Sequence, residues 1–266
     1  LKGFVLPAQE VSRLLPSERQ QRIRLLAVQQ GVLRIPELAE TLGVSEMTIR
    51  RDLEMLEDSG HLERTFGGAI VSEQTAFESD YTVRLHTQTP QKQALARYAA
   101  SLVQNGDTVA IDASTTCLAL AKELAKRRLT VITNGLDAAV ELRHSQCKVI
   151  LIGGYLRQVA GSFAGPLALK ALEGLRVDHA FFSAKGVLLD DGYLDSDLDE
   201  VEVKRVMIAS AVHTTALMDS SKFGVHALGR IAALSDIHLL VTDTGLDKKL
   251  EKQLFKQKLK VKIIKA

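Results

Sequence analysis

Residues 38–53 read Leu38-Ala39-Glu40-Thr41-Leu42-Gly43-Val44-Ser45-Glu46-Met47-Thr48-Ile49-Arg50-Arg51-Asp52-Leu53. Two helices meeting at a sharp turn need a small residue at their closest approach, a turn residue that tolerates positive φ, and an apolar anchor on the second helix. Ala39, Gly43 and Ile49 meet those needs in that order, which is the pattern of a helix-turn-helix. Ser45 is placed to cap the second helix, and Ile49, Leu53 and Leu56 then recur on one face. The other face presents Ser45, Glu46, Met47, Thr48, Arg50 and Arg51. An arginine can fork onto guanine O6 and N7, and a threonine can reach a base edge or a thymine methyl, so these six are the candidate DNA contacts. An amphipathic helix in an ordinary three-helix core is the plainer alternative. The agreement of turn, cap and anchor favours DNA.

Working outward, Ser17 is a candidate cap for a preceding helix through Ile23 and Leu26 to a stop at Gly31. Pro36 suits the first turn of the next, with Leu38, Ala39 and Leu42 inward. Beyond the second helix Gly60 is a stop, and His61 to Val71 reads as a two-stranded hairpin turning at Gly67-Gly68. A helix-turn-helix followed by a short ribbon is a winged helix. Arg64 supplies a cation for phosphates, and Gly67 and Gly68 let the backbone come close to them. As structure alone, the glycine pair is simply a good turn. These features bound a domain at residues 17–71. Residues 72–91 are polar and weakly periodic and read as a linker, although Phe77, Tyr81 and Leu85 suggest packing.

From residue 92 to 266 helices and strands alternate. Apolar runs at Thr108–Asp112, Thr130–Thr133, Lys148–Ile152, Ala180–Ser183, Thr215–Met218, Ile237–Thr242 and Val261–Ile264 are separated mostly by helical segments. That alternation predicts a parallel sheet with helices on its faces. Polar and glycine-rich turns gather at the carboxyl ends of the strands: Asp112-Ala113-Ser114-Thr115-Thr116, Thr133-Asn134-Gly135, Gly153-Gly154 and Asp219-Ser220-Ser221-Lys222. Ligands of open parallel sheets bind outside such ends. Hydroxyls, free N–H groups at a helix start and a lysine together predict an anion cradle for a phosphorylated sugar. Asp112, Ser114, Thr115, Thr116, Thr133, Asn134, Gly153, Gly154 and Lys222 are its candidates. Each turn taken singly is an ordinary connection.

Composition bounds the rest. The chain has 266 residues, 46% hydrophobic and 25% charged, which excludes a disordered protein. No apolar run approaches the roughly 18 residues of a membrane span, and the opening residues lack the pattern of a secretory signal. The two cysteines, Cys117 and Cys147, form no disulfide framework or metal pattern, and the histidines show no ligand pairing. A reducing cytoplasm is the expected location, with no metal, cofactor or membrane partner. Net charge is +2, and residues 1–71 hold 9 Lys and Arg against 10 Asp and Glu. DNA binding therefore rests on where particular arginines sit and not on a basic domain. Eight lysines lie in the last 22 residues, but Leu246, Leu250 and Leu254 give that segment an inner face.

The wording Val44-Ser45-Glu46-Met47-Thr48-Ile49-Arg50-Arg51-Asp52-Leu53, followed by Gly60 to Ala69, resembles the DeoR/GlpR-type family of bacterial sugar-metabolism repressors. The resemblance runs from about Ser17 through the rest of the chain. It departs at Phe66, where the family's wing usually carries His, and at Ala27, where a larger aliphatic residue is usual. It implies an α/β sensor domain with the fold of ribose-phosphate isomerases, a phosphorylated sugar as effector and operator DNA as partner. Helix-turn-helix proteins generally dimerise on repeated half-sites, so a homodimer or homotetramer is expected. Glu200-Val201-Glu202-Val203-Lys204-Arg205 resembles a family helix and adds Lys204 to the effector candidates; a surface ion pair is the plainer reading. The same resemblance raises an alternative, a sugar-phosphate isomerase with an appended DNA-binding domain. That chemistry needs a carboxylate base near the phosphate. The resemblance places acidic residues after the strand at Ala180–Ser183, where this chain reads Ser183-Ala184-Lys185-Gly186. Neither Asp112 nor Glu200, the possible substitutes, has an obvious partner acid. No catalytic residue is therefore expected.

Overall fold

The computed structural model describes residues 14–30, 32–58, 62–71, 81–257 and 259–266. Gly31, Gly60, His61 and Phe77, to which the sequence assigns roles, lie outside the described residues. The chain forms two compact units, residues 1–87 and residues 88–266.

In the first unit, α1 (Pro16–Gln30) begins one residue before the expected cap, so Ser17 lies in its first turn. Proline is suited to that place because the first N–H groups of a helix have no intrahelical acceptor. Next come β1 (Val32–Arg34), α2 (Ile35–Leu42) and α3 (Glu46–Asp58). Gly43 ends α2 at φ 62°, the left-handed conformation the turn requires. The hairpin is β2 (Leu62–Thr65) and β3 (Gly68–Val71). It is not two-stranded as expected. β1 pairs antiparallel with β3, Leu33 opposite Ala69, giving the order β1-β3-β2. Three residues are too few to show a period, so β1 is silent in the sequence. Ile23, Leu33, Leu38, Leu42, Ile49 and Leu53 close the core beneath. Part of the expected linker is also structured. α4 (Tyr81–His86) buries Val83 and packs against α1, and α5 starts at Thr89 instead of Lys92.

The second unit runs α5 (Thr89–Ser101), β4 (Thr108–Ile111), α6 (Thr115–Leu124), β5 (Thr130–Thr133), α7 (Leu136–Leu142) and β6 (Lys148–Leu151). A hairpin of β7 (Tyr155–Arg157) and β8 (Ser162–Ala164) follows, then α8 (Pro166–Leu172) and β9 (Val177–Phe182). After these come β10 (Gly186–Leu188), β11 (Gly192–Asp195), α9 (Leu198–Ala209), β12 (Ala211–Leu217) and β13 (Gly229–Ala232). β14 (Leu239–Asp243), α10 (Lys248–Leu254) and β15 (Lys260–Ile264) complete it.

Seven of these strands make one parallel sheet in the order β15-β14-β12-β9-β4-β5-β6. The chain starts at β4 inside the sheet, winds out to β6, and returns across β4 to β9 before winding the other way. β4 and β9 therefore flank the point where the winding reverses, outside whose carboxyl ends open parallel sheets bind their ligands. Central strands bury both faces, as Val109, Ile111, Phe181 and Leu240 show. β10, β11 and β13 form a small antiparallel sheet that the sequence does not announce.

Candidate functional site

The first turn of α3 is built as the sequence predicts. The Thr48 N–H donates to Ser45 Oγ at 3.2 Å, and the two hydroxyls lie 2.9 Å apart. Ser45, Glu46, Met47, Arg50 and Arg51 are exposed and Thr48 is half-buried. Arg50 Nη2 lies 3.5 Å from Glu46 Oε2, a surface pair weak enough to yield to a stronger acceptor. Asp52 faces the other way. It is buried and receives Arg19 Nε at 2.5 Å and Nη2 at 3.2 Å, which fixes α3 on α1.

The wing differs from expectation at two residues. Gly68 is buried, and a Cβ built there would lie 2.0 Å from the Leu33 carbonyl oxygen. It is the glycine that lets β1 join the sheet, and it is not free to approach a phosphate. Arg64 turns back toward α3, with Nη1 3.4 Å from Glu54 and 3.8 Å from Glu57, while its N–H donates to Glu57 at 3.1 Å. Its charge thus braces the wing before any DNA arrives. Gly67, at φ 87° with open space around it, makes the tip turn, and Phe66 beside it is fully exposed.

At the strand ends of the second unit the candidates separate into two layers. Asp112 is wholly buried, and its carboxylate accepts the Ser114 N–H and the Ser183 N–H, each at 3.0 Å. That ties the end of β4 to the end of β9, with Asp112 holding its own loop. Thr133 Oγ1 accepts the Gly135 N–H at 3.0 Å, and Asn134 Nδ2 donates to the Phe163 carbonyl at 3.2 Å; both are fully buried. Thr116 is buried as well. Thr115 is buried too; nearer solvent lie Ser114, which caps α6 by accepting the Cys117 N–H at 3.1 Å, and Gly153 and Gly154 after β6. Lys222, from a short turn after β12, donates through Nζ to Ser183 Oγ at 2.5 Å. Ser183 thereby joins β4, β9 and β12, a role the sequence does not signal.

Lys204 is also interior. Its ammonium lies 2.5 Å from Asp195 and 3.3 Å from Asp112. Burial opposes its charge, but Asp195, Asp112 and Glu200 outweigh that and hold it well above the usual lysine range. Lys204 is thus neither at the surface with Glu200, the plainer alternative, nor open to an effector, but part of a buried network. Burial raises the Glu200 carboxyl although Lys204 and Arg157 pull it down. Arg157, which the sequence does not single out, bridges Asp197 at 2.9 Å and Glu200 at 3.3 Å and moors the β7–β8 hairpin to the start of α9. Cys117 is buried, and burial with the Asp112 charge pushes its thiol up, so it packs as a small side chain. A depression of about 520 Å³ lies at the opposite end of the sheet, among Gly106, Arg128, Gln146 and Lys148. It faces the amino ends of the strands.

Comparison with known proteins agrees with this division. The DeoR-like helix-turn-helix domain matches residues 19–75, and the DeoR C terminal sensor domain matches residues 87–244. An HTH-type transcriptional regulator of Bacillus subtilis strain 168, YulB, is 41% identical over 93% of this chain and 96% of its own. The lactose phosphotransferase system repressor of Streptococcus mutans is 35% identical over 88% of this chain and 95% of its own. Ribose 5-phosphate isomerase A of Methanocaldococcus jannaschii superposes on 52% of this chain and 55% of its own, with a TM-score of 0.40 and 16% identity. That likeness is too slight to bear on chemistry.

Proposed function

Because the chain belongs to the DeoR family of helix-turn-helix transcriptional regulators, we propose a division of labour between α3 and the crevice of the parallel sheet. The first turns of α3 read operator DNA, Arg50 and Arg51 through base edges and Ser45 and Thr48 through nearer contacts. Gly67 brings the wing tip to the backbone. The crevice between β4 and β9 takes the phosphate of a sugar phosphate. The N–H groups of the first turn of α6 have no intrahelical acceptor, and the helix dipole adds positive potential there. Lys222 supplies the full charge from β12, and Gly153 and Gly154 admit the sugar. The protein acts as a repressor in the cytoplasm, as a homodimer or homotetramer.

One observation carries the effector half: the hydrogen-bonded run Ser114–Asp112–Ser183–Lys222 holds three strand ends in one arrangement. An anion that takes Lys222 from Ser183 disturbs that run, and so has different affinities for two states of the unit. Differential affinity is the condition for altering DNA binding at a distance. The isomerase alternative falls away. The relatives matched over most of their length are regulators.

The test is a panel of pentose and hexose phosphates, with the parent sugars as controls, read by thermal shift. A bound phosphate ester raises the unfolding temperature by mass action. A panel in which no ester shifts the midpoint more than its parent sugar would refute the effector site. Selection of duplexes from a randomised DNA pool tests the DNA half separately.

A further inference from the structure

The two edges of the parallel sheet are treated differently. β15 exposes Lys260 and Lys262, and the Lys262 ammonium sits 5.4 Å over the Tyr98 ring. Charged edge strands of this kind resist pairing with other chains. β6 carries a single lysine, Lys148 at its start, and its second half is apolar. Ile150 is 37% and Leu151 38% exposed, and Val140 on the neighbouring helix is 52% exposed. Leu156 and Val159, from the hairpin that follows, are 43% and 50% exposed. These five large apolar side chains fall within twenty residues of sequence beside a strand whose outer edge has no partner strand among the described residues. Such a combination marks an interaction surface.

We propose that β6 is where two copies of this chain pair, strand against strand about a two-fold axis. A strand adding to its own copy under a two-fold runs antiparallel, and the two sheets become one. The charges fit that operator. Asp137 is in the first turn of α7, at the end where β5 finishes, whereas Arg143 caps α7 and Lys148 opens β6 at the other end. Antiparallel pairing brings the Asp137 end of each copy beside the Arg143 and Lys148 end of its partner. Parallel stacking would set like charges together. Isologous self-pairing also buries Ile150 and Val140 twice. The inference rests on the regulator reading for its purpose, since paired half-sites need paired reading helices, but its evidence is the edge itself.

The test uses the full chain and sedimentation velocity over a concentration series. Ile150→Lys imitates the protection of β15 and sets two ammonium groups across the axis; Val140→Lys does the same on the helix. Both sites are exposed, so circular dichroism should match wild type. Each should raise the dimer dissociation constant at least about tenfold, because an unpaired charge is costly to desolvate. Leu228→Lys, exposed elsewhere, should leave it unchanged. A monomeric wild type, or charged variants that dimerise as tightly as wild type, would overturn the proposal. In the same samples, wild-type binding to a duplex selected from a random pool tests the regulator reading on its own.

Discussion

Lys222 and Thr115 carry the sharpest residue-scale prediction: Lys222 is partly exposed at the strand ends, and Thr115, though buried, opens α6, while Asp112 and Lys204 are engaged with each other in the interior. Lys222→Ala removes a charge-assisted contact and should weaken sugar-phosphate binding by about a hundredfold. Thr115→Val should weaken it less. Both should keep operator affinity and become insensitive to effector, as titration calorimetry beside gel shifts would show; unaltered effector affinity in both would sink the assignment. His179 carries a pH prediction. Burial lowers its pKa from 6.5 and His213, with its ring 5.3 Å away, pushes the same way, while Asp107 at 3.5 Å and Asp178 pull it up. A lowered folded value means that the unfolded chain takes up the proton first. The contribution of His179 to stability is therefore complete above 6.5 and lost as pH falls through the folded value. His179→Asn should flatten the fall in unfolding temperature between about pH 7 and about pH 5; an equally steep fall in the variant would count against it.

At the scale of elements, α3 and the wing make separable predictions. Arg50→Ala and Arg51→Ala should each cost about 1–3 kcal/mol of specific binding, concentrated at one base position, as a base-reading arginine does. Footprints identical to wild type would mean that α3 is not the reading helix. The adjacent glycines of the wing should behave unequally. Gly68→Ala places a methyl against the Leu33 carbonyl with backbone on both sides, so it should destabilise the unit by about 1–3 kcal/mol. Gly67→Ala meets no atom and bears only the strain of its positive φ, on the order of 1 kcal/mol. Urea unfolding would rank the two; the reverse order would show that β1 does not hold the wing.

For the whole molecule, the two compact units predict a divisible protein. A chain beginning at Gln88 keeps α5, which starts at Thr89, and the whole seven-stranded sheet. It should fold with a cooperative thermal transition, keep its response to sugar phosphate and lose DNA binding. A start at Lys92 removes the first turn of α5, including Pro90, and should be less stable. A fragment from Gln88 that lacks near-ultraviolet dichroism would show that the second unit needs the first.

What the sequence determined by itself is what neighbouring residues decide. Gly43 at positive φ, Ser45 as a cap and the spacing of Ile49, Leu53 and Leu56 act within a few residues, and each is as the sequence predicts. The strands of the large sheet also lie where the sequence places them, although β9 and β12 begin three and four residues earlier. Pairing across distance left no local trace. β1 joins β3 over more than thirty residues, and the order placing β4 beside β9 depends on which crossovers pack best, so the crevice could not be located from its loops alone. Only the tertiary structure decided which polar residues reach solvent. Asp112, Thr133, Asn134 and Lys204 share the composition of a binding loop with Ser114 and Lys222, yet a buried carboxylate or ammonium must find partners, and these found each other and the backbone. Burial is a property of the assembled sheet, and no stretch of chain carries it alone.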